Sequence, residues 1–131
     1  CQAVSMDTTG THIVVAVNAV GLYYSENSGA TFSLQYSNSN ANYDSIAFSG
    51  IGSVYAGMTT TPYSLLVSTN YGLSWTVASN NTHKFECLSV SSSGQNIISV
   101  IGGQLYFSTN AGVSFTKFTS SGCGSECAIN G

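Results

Sequence analysis

One octapeptide pattern, present three times, constrains the fold of this chain more than any other feature. It reads Ser25-Glu-Asn-Ser-Gly-Ala-Thr-Phe32, Ser68-Thr-Asn-Tyr-Gly-Leu-Ser-Trp75 and Ser108-Thr-Asn-Ala-Gly-Val-Ser-Phe115. Asn can hydrogen-bond its own downstream backbone, Gly accepts a positive φ, and the hydroxyl residue can close the loop. Each copy therefore predicts a tight connection between two strands, with the aromatic opening the returning strand. The expected structural turn residues are Ser25, Asn27 and Gly29, then Ser68, Asn70 and Gly72, then Ser108, Asn110 and Gly112. Asn-x-Gly turns are common singly, but three in one frame make a repeat protein.

Reading outward from each turn gives the same succession of short apolar stretches. Strands are expected over residues 3–6, 12–17, 21–24 and 31–36, then 45–48, 54–58, 64–67 and 74–78, then 88–90, 96–101, 105–107 and 115–118. Twelve strands separated by Gly-containing turns, with almost no helical periodicity, predict an all-β fold of three four-stranded antiparallel sheets of about 42 residues each. The first-turn glycines Gly10, Gly52 and Gly94 recur at a spacing of 42, and the repeats are drawn at 1–42, 43–84 and 85–122. Residues 123–131 read as the start of a further repeat or a joint between subunits, because Cys127 takes the place that Cys87 holds in its repeat.

The polar surface of such sheets is neutral. Only 5% of the residues are charged: two lysines, Lys84 and Lys117, five acids and no arginine. Two isolated lysines cannot neutralise a phosphate backbone, so nucleic acid is excluded as a partner. No stretch approaches the roughly 20 apolar residues of a transmembrane helix. The first residue is Cys and no basic, apolar leader is visible, which favours a processed or excised chain. Cys1, Cys87, Cys123 and Cys127 are disulfide candidates, an even number compatible with three connectivities. A zinc site built from Cys87, His83 and the Cys123/Cys127 pair is the weaker reading, since structural zinc usually takes two paired ligand clusters. Asn80 opens the sequon Asn80-Asn81-Thr82, a glycosylation candidate. Cysteines and sequon together place the chain outside the cell.

A unit of about 42 residues with this turn between its third and fourth strands resembles a blade of an Asp-box, or BNR-repeat, β-propeller. The resemblance covers nearly the whole chain, although the usual Asp is Asn27, Asn70 and Asn110 here and Trp remains only at Trp75. It implies propeller-type blades, with the turn at the rim and Trp75 a packing residue. Propellers close with about four to eight blades, so three cannot form a ring within one chain. Two blade faces would stay bare, expected to carry residues such as Val14, Tyr24, Val100 and Tyr106. Such faces call for copies of the chain or further repeats of a longer chain as partners.

Catalysis is not expected. The resemblance points to sialidases, which bind their substrate's carboxylate with an arginine cluster, and this chain has no arginine. The five acids, Asp7, Glu26, Asp44, Glu86 and Glu126, show no spacing that sets two carboxylates across one bond. His12 and His83 stand among so many serines that a Ser-His-Asp match carries no information. No cofactor and no metal is expected. The reading that follows is a non-catalytic extracellular structural protein that self-associates blade to blade into a ring or filament. The alternative is a lectin-type propeller module for glycans, using Tyr36, Tyr43, Tyr55, Tyr63 or Tyr71 as stacking surfaces.

Overall fold

The computed structural model describes residues 1–118. It is all β. The first sheet contains β1 (Ala3–Met6), β2 (Ile13–Val17), β3 (Gly21–Ser25) and β4 (Ser33–Ser37) in chain order. The second contains β5 (Tyr43–Phe48), β6 (Val54–Met58), β7 (Tyr63–Ser68) and β8 (Thr76–Asn81). The third contains β9 (Phe85–Val90), β10 (Ile97–Ile101), β11 (Gln104–Ser108) and the short β12 (Thr116–Lys117). Every pairing is antiparallel, so each sheet is a meander of hairpins.

The sheets stack face to face through their first strands, with β5 lying against both β1 and β9. Two apolar layers result. Between the first and second sheets lie Val14, Ala16, Leu22 and Tyr24 from one side and Ile46, Val54, Ala56 and Leu66 from the other. Between the second and third lie Ala47, Tyr55 and Leu65 against Phe85, Leu88, Ile97 and Ile101. Alternate residues of a strand point to opposite faces, so β6 divides its side chains between the two layers and is buried along its whole length. Among the described strands β9 does not meet β1, and the three sheets form an open stack.

The bare faces are not where the sequence placed them. Val14 and Tyr24 are 0% and 4% exposed within the layer between the first two sheets. Tyr106 packs against the layer between the second and third sheets, while Val100 lies on the opposite face of its sheet, turned away from the second, and is 0% exposed. The reason is register. The box serines pair with Ile13, Val54 and Ile97, which makes these three residues equivalent. Counted from them, Val14 points toward the following sheet, and the bare face of the first sheet carries the opposite set.

Candidate functional site

Each box turn is held by the same set of hydrogen bonds. In the second copy the Ser68 hydroxyl donates to Asn70 Oδ1 (2.8 Å) and accepts from Gly72 N (2.8 Å), while Asn70 Oδ1 also accepts from Ser74 N (3.0 Å). Asn70 Nδ2 donates to Ser74 Oγ at 2.9 Å. The bonds recur around Asn27 and Asn110 at closely similar distances. The backbone takes two left-handed residues in succession: Ser28 and Gly29, Tyr71 and Gly72, Ala111 and Gly112. The non-glycine member of each pair was missed in the sequence because Ser, Tyr and Ala carry no positive-φ signal.

This network makes the box asparagine an acceptor first and a donor second. Asn70→Asp is expected to stay within about 0.5 kcal/mol of the parent at neutral pH, since the Ser74 hydroxyl can turn to donate to the carboxylate. Asn70→Ala loses every side-chain bond and is expected to cost about 1–3 kcal/mol. Thermal unfolding of both variants checks this, and equal losses would refute the acceptor role.

The turns are also joints between sheets. The N–H of the residue before each box glycine donates to a carbonyl in the first turn of its own repeat: Ser28 to Thr11, Tyr71 to Gly52, Ala111 to Gln95. On the other side the glycine faces the preceding sheet. A Cβ on Gly72 would stand 2.6 Å from Val14 Cγ2, and one on Gly112 would stand 2.5 Å from Leu65 Cδ2. Trp75 locks the second joint by donating its indole N–H to the Gly72 carbonyl at 3.0 Å while packing on the first layer.

With equivalence counted from the box serines, the surface that faces a preceding sheet can be compared across repeats. In the second sheet it is Ile46, Phe48, Val54, Ala56, Leu66 and Trp75, all in or against the first layer. In the third it is Leu88, Val90, Ile97, Ser99, Tyr106 and Phe115, of which all but Ser99 belong to or pack on the second layer. Ser99 is buried and donates to the Cys87 carbonyl at 2.7 Å. In the first sheet the same positions are Val4, Met6, Ile13, Val15, Tyr23 and Phe32. Val4, Met6 and Phe32 are 59%, 58% and 44% exposed, and the other three are half-buried. Among the described strands, those of the first sheet meet only β5 outside their own sheet. A face built to be covered is thus open to solvent.

The titratable groups serve the turns. Asp7 closes the first turn by accepting from His12 N (3.1 Å) and pairs with His12 Nδ1 (2.9 Å), as Ser49 and Ser91 close theirs by accepting from Ser53 and Asn96 N–H groups. Burial alone would raise the Asp7 carboxyl, but the hydrogen bonds from His12 and Thr9 outweigh it and hold it down to about 2. The Tyr71 ring, from the second box, lies 4.2 Å from the His12 ring and so bridges the first two sheets. Glu26 is exposed within its box. Asp44 and Glu86, 42 residues apart like Gly52 and Gly94, occupy equivalent positions at register shifts in β5 and β9. Glu86 accepts from Gly103 N and pairs with Lys84 at 3.2 Å. Glu126 lies outside the described residues.

Two of the tyrosines expected to stack on sugars are interior. Tyr43 is 0% exposed and Tyr55 is 2% exposed, with its hydroxyl donating to the Gly94 carbonyl at 2.8 Å. Both point into layers between sheets, which removes them as ligand surfaces. Tyr36 also packs on the first layer, while Tyr63 is half-buried and Tyr71 exposed. Cys1, a disulfide candidate in the sequence, is instead an exposed free thiol. Cys87 is buried on β9, His83 is exposed with its Nδ1 2.9 Å from Thr82 Oγ1, and Cys123 and Cys127 lie outside the described residues. Asn80 is exposed on β8 with its Oδ1 accepting from the Ser64 hydroxyl at 2.7 Å.

No protein-family model matches the sequence, and no curated protein matches it. Solved structures do. YCF48 from Cyanidioschyzon merolae superposes with a TM-score of 0.69 at 14% identity, over 88% of this chain and 38% of that one. A GH74 enzyme described as ancestral gives 0.72 at 21% identity, over 91% of this chain and 18% of that one. A chain of a nidogen/laminin complex gives 0.71 at 11% identity, over 87% of this chain and 46% of that one. All are β-propeller proteins, and this chain spans less than half the length of each. At these identities the similarity shows the fold alone: the chain is a β-propeller-type module of three blades.

Proposed function

We propose that this chain is a non-catalytic structural module of the cell exterior, built from Asp-box-type blades, that assembles blade to blade with copies of itself or with further repeats. The carrying observation is the set of positions that face a preceding sheet: covered in the second and third blades, apolar yet exposed in the first. Moving one large apolar side chain from exposed to buried is worth roughly 1.5–3 kcal/mol, so covering Val4, Met6 and Phe32 supplies a driving force against the cost of association. A formal net charge of −3 and a receiving face without a charged side chain leave little repulsion to overcome. The box hydrogen bonds, made by Asn where an Asp would serve equally, support the Asp-box relationship. The exposed Asn80 of the sequon supports an extracellular setting.

The glycan-binding alternative keeps one feature in its favour. A groove of about 520 Å³ beside Phe115 is lined by neutral hydroxyl and amide groups of Ser79, Asn80, Asn81 and Ser114. Against it, two of the five tyrosines proposed for stacking are interior.

Sedimentation velocity over a wide concentration range, with and without reductant, tests the assembly reading. Concentration-dependent growth that persists in reductant is expected, because burial of the open face rather than a disulfide drives it. A monomer at every concentration would overturn it.

A further inference from the structure

We infer that Asn80 carries an N-linked glycan whose first sugar lies in the groove beside Phe115, at the joint between the second and third blades. This rests on the exterior setting proposed above, since the modification is made on exported chains. Asn80 stands near the end of β8, the outer strand of the second sheet, and Thr82 follows just beyond that strand, both open to solvent. The Ser64 hydroxyl holds Asn80 Oδ1 at 2.7 Å, and among the described residues nothing bonds Nδ2. That nitrogen is the one that reacts. A bond forms between Nδ2 and the anomeric carbon of a sugar, the bond from that carbon to a lipid pyrophosphate breaks, and the transferase takes up one amide proton. The co-reactant is a lipid-linked oligosaccharide, and the Thr82 hydroxyl completes the acceptor sequence.

The groove of about 520 Å³ runs from Asn80, Asn81 and Thr82 on the second blade to Val113, Ser114 and Phe115 on the third. The whole sequon thus forms one wall. Opposite it stand an aromatic ring, an exposed valine and a hydroxyl, and no charged side chain lines the space. A pyranose matches that composition: its C–H face is apolar and packs on an aromatic face, while its hydroxyls bond neutral amides and hydroxyls. A sugar tethered at Asn80 also meets the groove at the effective concentration of an intramolecular ligand, which a free sugar does not. The space that would suit a glycan ligand is therefore the bed of the chain's own glycan. A bulky, hydrated group there also shields the unpaired side of β8, whose other side is taken by β7.

Peptide mass mapping of the chain from its native source, before and after peptide-N-glycosidase, tests occupancy. A hexosamine-containing mass on the Asn80 peptide is expected, with conversion of Asn80 to Asp on enzymatic release. An unmodified Asn80 on chain recovered outside the cell would overturn the proposal, whereas chain found only inside cells would overturn the reading on which it rests. Hydrogen exchange tests the placement of the sugar. The glycosylated chain is compared with Thr82→Ala, which keeps Asn80 and its bond to Ser64 but abolishes the sequon; Asn80→Gln takes its place if that variant fails to fold. The Val113 and Ser114 amides, which donate to Asn110, are expected to be protected roughly threefold more with the glycan. The equivalent Ala30 and Thr31 amides, which donate to Asn27 in the first blade, should not change. Equal protection at Val113 and Ser114 in both forms, or a gain shared by the first blade, would show the glycan lying clear of the groove and overturn its placement.

Discussion

Gly72→Val is expected to separate the first blade from the second, with a loss of roughly 2–6 kcal/mol. Two effects add. The residue sits at φ +109°, a conformation that a β-branched side chain resists, at about 1–3 kcal/mol. Its Cβ would also stand 2.6 Å from Val14 Cγ2 and 3.4 Å from the Tyr24 ring, and forcing such overpacking costs about another 1–3 kcal/mol. Against a typical domain stability of about 5–15 kcal/mol, that is enough to populate an opened form. Gly29→Val is the control. Its backbone, at φ +86°, carries the same kind of strain, but its Cβ meets nothing closer than 3.5 Å within one chain. In dilute solution it should show only the backbone part of the loss. Urea unfolding followed through Trp75, the single tryptophan, measures both, since Trp75 donates to the Gly72 carbonyl. Equal effects at the two glycines would refute the packing role of Gly72.

Phe85→Ala should act at the other joint and leave this one intact. Phe85 is 0% exposed in the layer between the second and third blades, edge-on to Phe115 with ring centroids 5.8 Å apart. Gly57 makes room for it: a Cβ there would lie 2.6 Å from the Phe85 Cβ. Removing a buried phenyl ring costs about 3–5 kcal/mol. Blades in a stack couple mainly to their neighbours, so the loss falls on the third blade. The expected result is two separated transitions, an early loss of β signal by circular dichroism and a later change in Trp75 fluorescence. Coincident transitions at lower denaturant would mean that the three blades unfold as one unit.

The two variants also mark where sequence reasoning succeeds. Ser68, Asn70, Gly72 and Ser74 act on one another within seven residues, so the chemistry of the turn is local and legible in the chain. The hole that Gly72 offers to Val14 is not, because Val14 lies in another repeat and the approach exists only once the blades stack. Tyr71 is similar. Its place in a turn is visible, whereas its left-handed backbone and its contact with His12 depend on two blades meeting.

The sequence by itself determined the all-β class, the order of short strands and the three box turns, since each follows from residues adjacent in the chain. Tertiary structure decided which side of each strand faces which neighbour. Aligned on Gly10, Gly52 and Gly94, the repeats look evenly spaced, yet the first turn is closed between Asp7 and His12 and between Ser91 and Asn96, but between Ser49 and Ser53 in the second repeat. That turn is one residue shorter. Because side chains alternate along a strand with a period of two, a slip of one residue exchanges its two faces. Only the pairing of Ile13, Val54 and Ile97 with the box serines reveals that Val14 is covered and Val15 belongs to the open face.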